Sequence, residues 1–208
     1  MPTDVYFLLD SSTSVNPDNF IAMLHFIIDV IDMFDVTSGV TRVAVVGYND
    51  GIHPFILLNN DYSPSQLKDR ILGLPYLGGG TKTGSAFQYL RQTGLTHARQ
   101  EAAQVVILLT DGQSEDPDMT HTEARKLRDQ GVHLFAIGIG YGVDIHELRG
   151  IGSKPVTDTV FRIQDFSALS AIKAEVAVSA CSGECAYAFY TNVTVVSLCK
   201  LRLGQCVV

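Results

Sequence analysis

Residues Tyr6 to Val15, YFLLDSSTSV, run four apolar side chains into an aspartate and then break into small hydroxyl-bearing residues. A strand that is apolar at nearly every position is buried on both faces, as in a parallel sheet. Val5–Leu9, Arg42–Tyr48, Val105–Thr110 and Val132–Ile139 all have this character, with stretches of helical spacing between them. The order strand, helix, strand predicts an α/β fold: a doubly wound, mostly parallel six-stranded sheet with helices on both faces and right-handed crossovers. In such a sheet the loops that follow the C-terminal strand ends share one rim, and ligands bind there where the strand order reverses. Asp10 and its hydroxyl neighbours belong to that rim.

The intervening helices announce their own starts. Asn16, Pro17 and Asp18 supply a cap, a first-turn proline and an acid at the positive helix end. On this first helix His25, Asp29 and Asp32 fall at i, i+4 and i+7 and read as a solvated stripe. Ser63, Pro64 and Gln66 form a capping box for a second helix. The glycines Gly78, Gly79 and Gly80 let the backbone approach something closely before a third helix, roughly Gly84 to Thr96. Asp116 and Pro117 open a fourth helix that Gly131 stops. VDIHELRGIG reads as a short helix, DTVFRI as an edge strand and DFSALSAIKAEVAVSA as the final helix. His53–Leu58 follows the Asn49-Asp50-Gly51 turn as a short antiparallel strand.

The 208 residues, 46% hydrophobic and 18% charged, suffice for one globular domain. A net charge of -7 without clustered Lys or Arg argues against a nucleic-acid surface and favours a metal or a cationic partner. No apolar run reaches the roughly 18 residues of a bilayer crossing. The chain enters its first strand almost at once, leaving no room for a secretory signal, so an intracellular protein or a fragment is expected. All four cysteines, Cys181, Cys185, Cys199 and Cys206, lie at the C-terminal end, which divides the chain into a domain at 1–180 and a cysteine-bearing tail at 181–208 with no element assigned. Disulfides, free thiols and zinc ligation remain open for them, although the spacing matches zinc sites poorly. Asn192-Val193-Thr194 has the form of a glycosylation acceptor.

Three polar clusters reach the predicted rim. Asp10, Ser12 and Ser14 leave the first strand, Thr81 ends the glycine loop, and Asp111 ends the Val105–Thr110 strand. All five are hard oxygen donors, which divalent cations such as Mg²⁺ select. Two carboxylates balance a doubly charged ion, and three neutral hydroxyls leave it able to attract a further anion. Taken singly, the same residues would read as turn caps and loop hydroxyls.

The segments FLLDSSTSV, GGGTKTG and LLTDGQS together resemble the von Willebrand factor A domain, or integrin-type I domain, with its metal-ion-dependent adhesion site. The family pattern Asp-x-Ser-x-Ser, a separate Thr and a separate Asp is matched at Asp10, Ser12, Ser14, Thr81 and Asp111, over a resemblance that spans about Thr3 to Ala180. The versions in collagen-type and matrilin-like extracellular matrix proteins are similar. The resemblance implies Mg²⁺ or Mn²⁺ at these five residues, and an acidic side chain of a matrix protein such as collagen completing the metal shell. It also implies an extracellular location and a last helix, Ser167 to Ala180, able to slide. Adhesion is the first expectation; an assembly domain whose ion merely stiffens the loops is the alternative.

Enzyme readings fit less well. A phosphatase-like nucleophile at Asp10 needs a second acid where Ser12 stands, and no Gly-x-Ser-x-Gly stretch occurs. GGGTKTGS lacks the Gly-Lys-Ser/Thr order of a phosphate loop, and GIGYG misses dinucleotide spacing. His25, His53, His97, His121, His133 and His146 show no paired metal spacing.

Overall fold

A computed structural model describes residues 2–59 and 62–181. The expectations for cysteine pairing, for Asn192 and for the tail lie outside the described residues. The chain runs β1 (Thr3–Asp10), α1 (Pro17–Ile31), β2 (Thr41–Tyr48), β3 (Ile52–Ile56), α2 (Pro64–Leu72), α3 (Thr83–Gln92) and a 3₁₀ turn (Gly94–His97). It continues with β4 (Ala103–Thr110), α4 (Pro117–Asp129), β5 (His133–Ile139), α5 (Ile145–Ile151), α6 (Val156–Thr159), β6 (Val160–Ile163), a second 3₁₀ turn (Phe166–Ala168) and α7 (Leu169–Cys181).

The six strands lie in the order β3-β2-β1-β4-β5-β6, and all pairs are parallel except β2–β3. β3 is the expected antiparallel strand, with a register irregularity at Val45/Val46 and Pro54 opposite Val46. Strand order reverses around β1, whose neighbours are β2 and β4. Register then aligns the C-terminal ends: Asp10 pairs with Tyr48, Leu9 with Leu109, and Thr110 with Gly138. The rim is therefore a row of adjacent strand ends, with Asp10 at its centre.

Because the strands are apolar on both faces, the sheet carries two cores. Val5, Phe7 and Leu9 face a layer containing Phe20, Leu24 and Ile27 of α1, Leu67 of α2 and Val176 of α7. Tyr6 and Leu8 face Phe87 and Leu90 of α3, Leu127 of α4 and Leu148 of α5. Each fully buried side chain of this size contributes about 1.5–3 kcal/mol, against about 0–1 kcal/mol for an exposed ion pair. Packing, not surface charge, holds the layers together.

Local signals behave as expected at most helix starts. Asn16 and Asp116 accept from Asn19 N and Met119 N, and the Ser63–Gln66 capping box forms. The α1 stripe is only partly solvated: Asp29 accepts from Lys173 Nζ of α7 at 2.8 Å and Asp32 pairs with Lys68 of α2, while His25 is exposed. The third helix stops at Gln92 instead of near Thr96. Gly94 packs against Leu90, and its carbonyl is taken by the hydroxyl of Tyr6 at 3.2 Å, which turns the chain into the 3₁₀ conformation. The short α6 before β6 carries no signal noted in the sequence. Among the described residues no helix is long and apolar enough to cross a membrane.

The end of the sheet remote from the rim is closed by one ion pair. Asp4, with no exposed surface, accepts from Arg99 Nε at 2.9 Å, Nη2 at 2.7 Å and backbone N at 2.7 Å. The same guanidinium donates to the carbonyls of Gly39 and Val40, both at 2.9 Å. Truncating one partner would strand a buried charge. Arg99→Ala is expected to lower the unfolding free energy by about 3–5 kcal/mol in urea denaturation. Lys68→Ala, at a partly exposed pair, should cost less than about 1 kcal/mol.

Candidate functional site

β1 ends in Asp10, which is fully buried. Its Oδ1 accepts from Ser12 N at 2.8 Å, and its Oδ2 accepts from Thr110 Oγ1, on the neighbouring strand end, at 2.6 Å. Ser12 Oγ lies 3.1 Å from Ser14 Oγ, and Ser14 Oγ donates to Asp111 Oδ1 at 2.7 Å. Asp10, Ser12, Ser14 and Asp111 are thus joined by consecutive hydrogen bonds, with the Ser12, Ser14 and Asp111 side-chain oxygens in line. Neighbouring oxygens of an octahedral shell about 2.1 Å from a small divalent cation sit about 3.0 Å apart. The Ser12–Ser14 and Ser14–Asp111 spacings, 3.1 and 2.7 Å, are close to that value. Among the described residues no three of His, Cys, Asp and Glu group to hold a metal, so a cation here depends on the hydroxyls.

Burial dominates the electrostatics. It pushes the Asp10 carboxyl above its ordinary 3.8, with the Asp111 charge adding and the Ser12 and Thr110 hydrogen bonds opposing. Burial raises Asp111 as well, against the hydrogen bond from Ser14. Beneath them, fully buried Tyr48 accepts from Thr83 Oγ1 at 3.3 Å, and burial with the Asp10 charge drives its phenol well above the usual range. A positive ion would reverse the penalty on both carboxylates.

Thr81 joins the group through its main chain: Thr81 N donates to Glu115 Oε1 at 3.0 Å, and Glu115 N donates to Thr81 O at 3.1 Å. The glycine loop before it is stitched to the first-strand loop, with Thr13 N donating to Gly79 O and Gly79 N donating to Thr13 Oγ1, both at 2.9 Å. Leu77 N donates to Ser11 Oγ at 2.9 Å, and the Tyr76 hydroxyl donates to Ser12 O at 3.1 Å. What the glycines approach is now visible. A Cβ on Gly79, at φ +102°, would lie 2.7 Å from Asp50 Oδ2; one on Gly80 would collide with Glu115 Oε1 and lie 2.7 Å from Asp50 Oδ1.

All five sequence-predicted donors therefore reach the rim, four through their side chains and Thr81 through its backbone contacts. The sequence reading missed Thr110, Glu115, Asp50, Thr13, Ser11 and Tyr76. Thr110 stood in plain view beside Asp111, but its bond to Asp10 follows from strand register. Asp50 and Glu115 carried a weaker signal, acids in the short loops NDG and QSE, whose partners lie 30 and 34 residues away. None of the histidines enters the oxygen chain; burial holds His133 below its usual value, away from the rim at the start of β5.

Residues 4–175 match the family model described as von Willebrand factor type A domain. Mouse (Mus musculus) collagen alpha-4(VI) chain is 37% identical over 186 residues, which cover 87% of this chain and 8% of that one. Mouse matrilin-1 is 36% identical, covering 82% of this chain and 34% of its own length. Among solved structures, proximal thread matrix protein 1 from the mussel byssus superposes with a TM-score of 0.81 at 28% identity, over 87% of this chain and 48% of that one. A form of that protein with a zinc-occupied MIDAS motif gives a TM-score of 0.76 at 33% identity, over 85% and 45%. The chain spans less than half the length of each of these relatives.

The raised carboxyls define a pH effect. In the metal-free fold Asp10 and Asp111 keep protons at pH values above 3.8 where the unfolded chain has released them. Their contribution to stability is therefore present at low pH and lost as pH rises through the folded-state values. At pH 7.5 in EDTA, Asp111→Asn is expected to melt at or above the temperature of the unsubstituted chain. Added Mg²⁺ at about 100 times its Kd should stabilise the unsubstituted chain by about 2.7 kcal/mol and leave Asp111→Asn unmoved. Thermal melts with and without the cation check both.

Proposed function

The chain belongs to the von Willebrand factor type A domain family, and from that premise we propose that it is a metal-ion-dependent protein-binding module. Asp10, Ser12, Ser14, Thr81 and Asp111 hold a Mg²⁺ or Mn²⁺ ion, and an acidic side chain of an extracellular matrix protein such as collagen completes its shell. The observation that carries the reading is the unbroken line of hydrogen bonds from Asp10 through Ser12 and Ser14 to Asp111 at a strand-order reversal. The ion supplies a positive charge with a free coordination position. Asp10 and Asp111 provide the compensating charge, and the hydroxyls orient without neutralising further. Thr110 holds the Asp10 carboxylate in place so that its remaining lone pairs face the rim.

Collagen and matrilin relatives, together with a thread matrix protein whose MIDAS motif takes zinc, support a matrix role for residues 1–180 and an extracellular location. The site is read as a binding centre and not as an enzyme's, in line with the collagen and matrilin relatives. Tyr141 stands beside it, 88% exposed, and the next residue, Gly142, sits so close that a Cβ there would lie 2.6 Å from the Asp111 carbonyl. An aromatic ring so placed is suited to anchor a partner around the acid.

A second reading, assembly within a larger matrix protein with the ion only stiffening the loops, is favoured by the direct bonds among Thr13, Gly79, Thr81 and Glu115. Surface capture on immobilised collagen separates the two. EDTA or Asp111→Ala is expected to abolish capture, and Tyr141→Ala to weaken it about tenfold, equivalent to about 1.4 kcal/mol, while leaving cation binding intact. Capture that survives EDTA and Asp111→Ala rules out adhesion through the ion; a fall in Tm with unchanged capture supports the assembly role.

A further inference from the structure

Of the five donors, Thr81 is the one whose position owes nothing to a strand end. It follows Gly78, Gly79 and Gly80, two of which take positive φ, +69° and +102°. A glycine run has the largest conformational freedom to lose, so something outside it must hold the threonine at the rim. The hydrogen bonds show what does. Glu115 closes a two-bond ring with Thr81, carboxylate oxygen to N and N to carbonyl, at 3.0 and 3.1 Å. Asp50 adds a third bond, accepting from Gly80 N at 3.0 Å, with Lys82 Nζ 3.7 Å from its other oxygen.

We infer that Glu115, assisted by Asp50, is a positioning residue for the cation centre: its carboxylate clasps the Thr81 backbone and thereby presents the Thr81 hydroxyl to the ion, without itself being a ligand. This rests on the reading of the rim as a cation centre. Glu115 emerges from the β4–α4 loop only four positions after Asp111, so the clasp couples two donor loops that the chain keeps far apart. Gly80 is glycine because a methyl group there would occupy the space of the clasping oxygen. Glu115 is an exposed side chain, and its removal leaves both cores untouched. The effect of losing it therefore falls on the ion and not on global stability. Groups that orient metal ligands from outside the shell typically change affinity by about 10–100-fold when removed.

The test titrates Mg²⁺ and Mn²⁺ separately into the full chain by calorimetry, with melting in EDTA as the measure of folding. Glu115→Ala is expected to weaken cation binding by about 10–100-fold while shifting Tm by no more than about 2 °C. Glu115→Gln keeps a carbonyl oxygen for Thr81 N and should bind nearly as tightly as the unsubstituted chain. Gly80 does not have a positive φ, so Gly80→Ala is tolerated by the backbone yet evicts the carboxylate. It should weaken binding as Glu115→Ala does, and the double substitution should be no weaker than either alone. Undiminished binding by Glu115→Ala overturns the inference. So does equal weakening by Glu115→Gln, which would make the charge, not the clasp, responsible. Failure of the unsubstituted chain to bind either cation sinks the reading of the centre and the clasp with it.

Discussion

The Asp10–Thr110 hydrogen bond, 2.6 Å long and fully buried, joins the C-terminal ends of the two central strands at the point where strand order reverses. Everything on the rim is arranged about it. Because β1 and β4 are parallel and in register to Leu9 and Leu109, an acid ending one strand meets a hydroxyl ending the next. The hydrophobic cores above and below the sheet make that alignment rigid, and rigidity is what a small cation with strict geometry demands of its ligands.

Charge on the rim is kept in a narrow balance. Two carboxyls in a desolvated setting are held above their normal titration range, a strain that hydroxyl donors from Ser12, Ser14 and Thr110 only partly offset. A centre built from more acids would bind an ion more strongly and leave it less able to attract another anion. Neutral hydroxyls avoid this. An ion held by this set would keep charge to share, as the proposed binding role requires.

Most of the architecture was legible in the sequence, since doubly apolar strands and paired cap-proline signals depend on neighbours within a few positions. Val105–Thr110 and Asp116-Pro117 could be read directly, and so could the placement of Asp10, Ser12, Ser14, Thr81 and Asp111 at one rim once three distant segments agreed in type and order. What escaped was set by pairing across the fold. The third helix ends early because Tyr6, far away in β1, claims the carbonyl of Gly94. Asp29 and Asp32 gain lysine partners from other helices, Lys173 and Lys68. Three glycines announced a close approach, but only the folded chain reveals that Asp50 and Glu115 are what they approach.

The two outer strands also limit how copies of this domain can meet. β3 places Pro54, which has no N–H, along its length and is kinked by a register irregularity, while β6 is only four residues long. Among the described residues neither flank offers a long run of main-chain donors to which another chain could zip. Two such domains meeting along these strands would consequently gain little from main-chain pairing, and their contacts would fall to side chains, which can be matched, weakened or released one at a time.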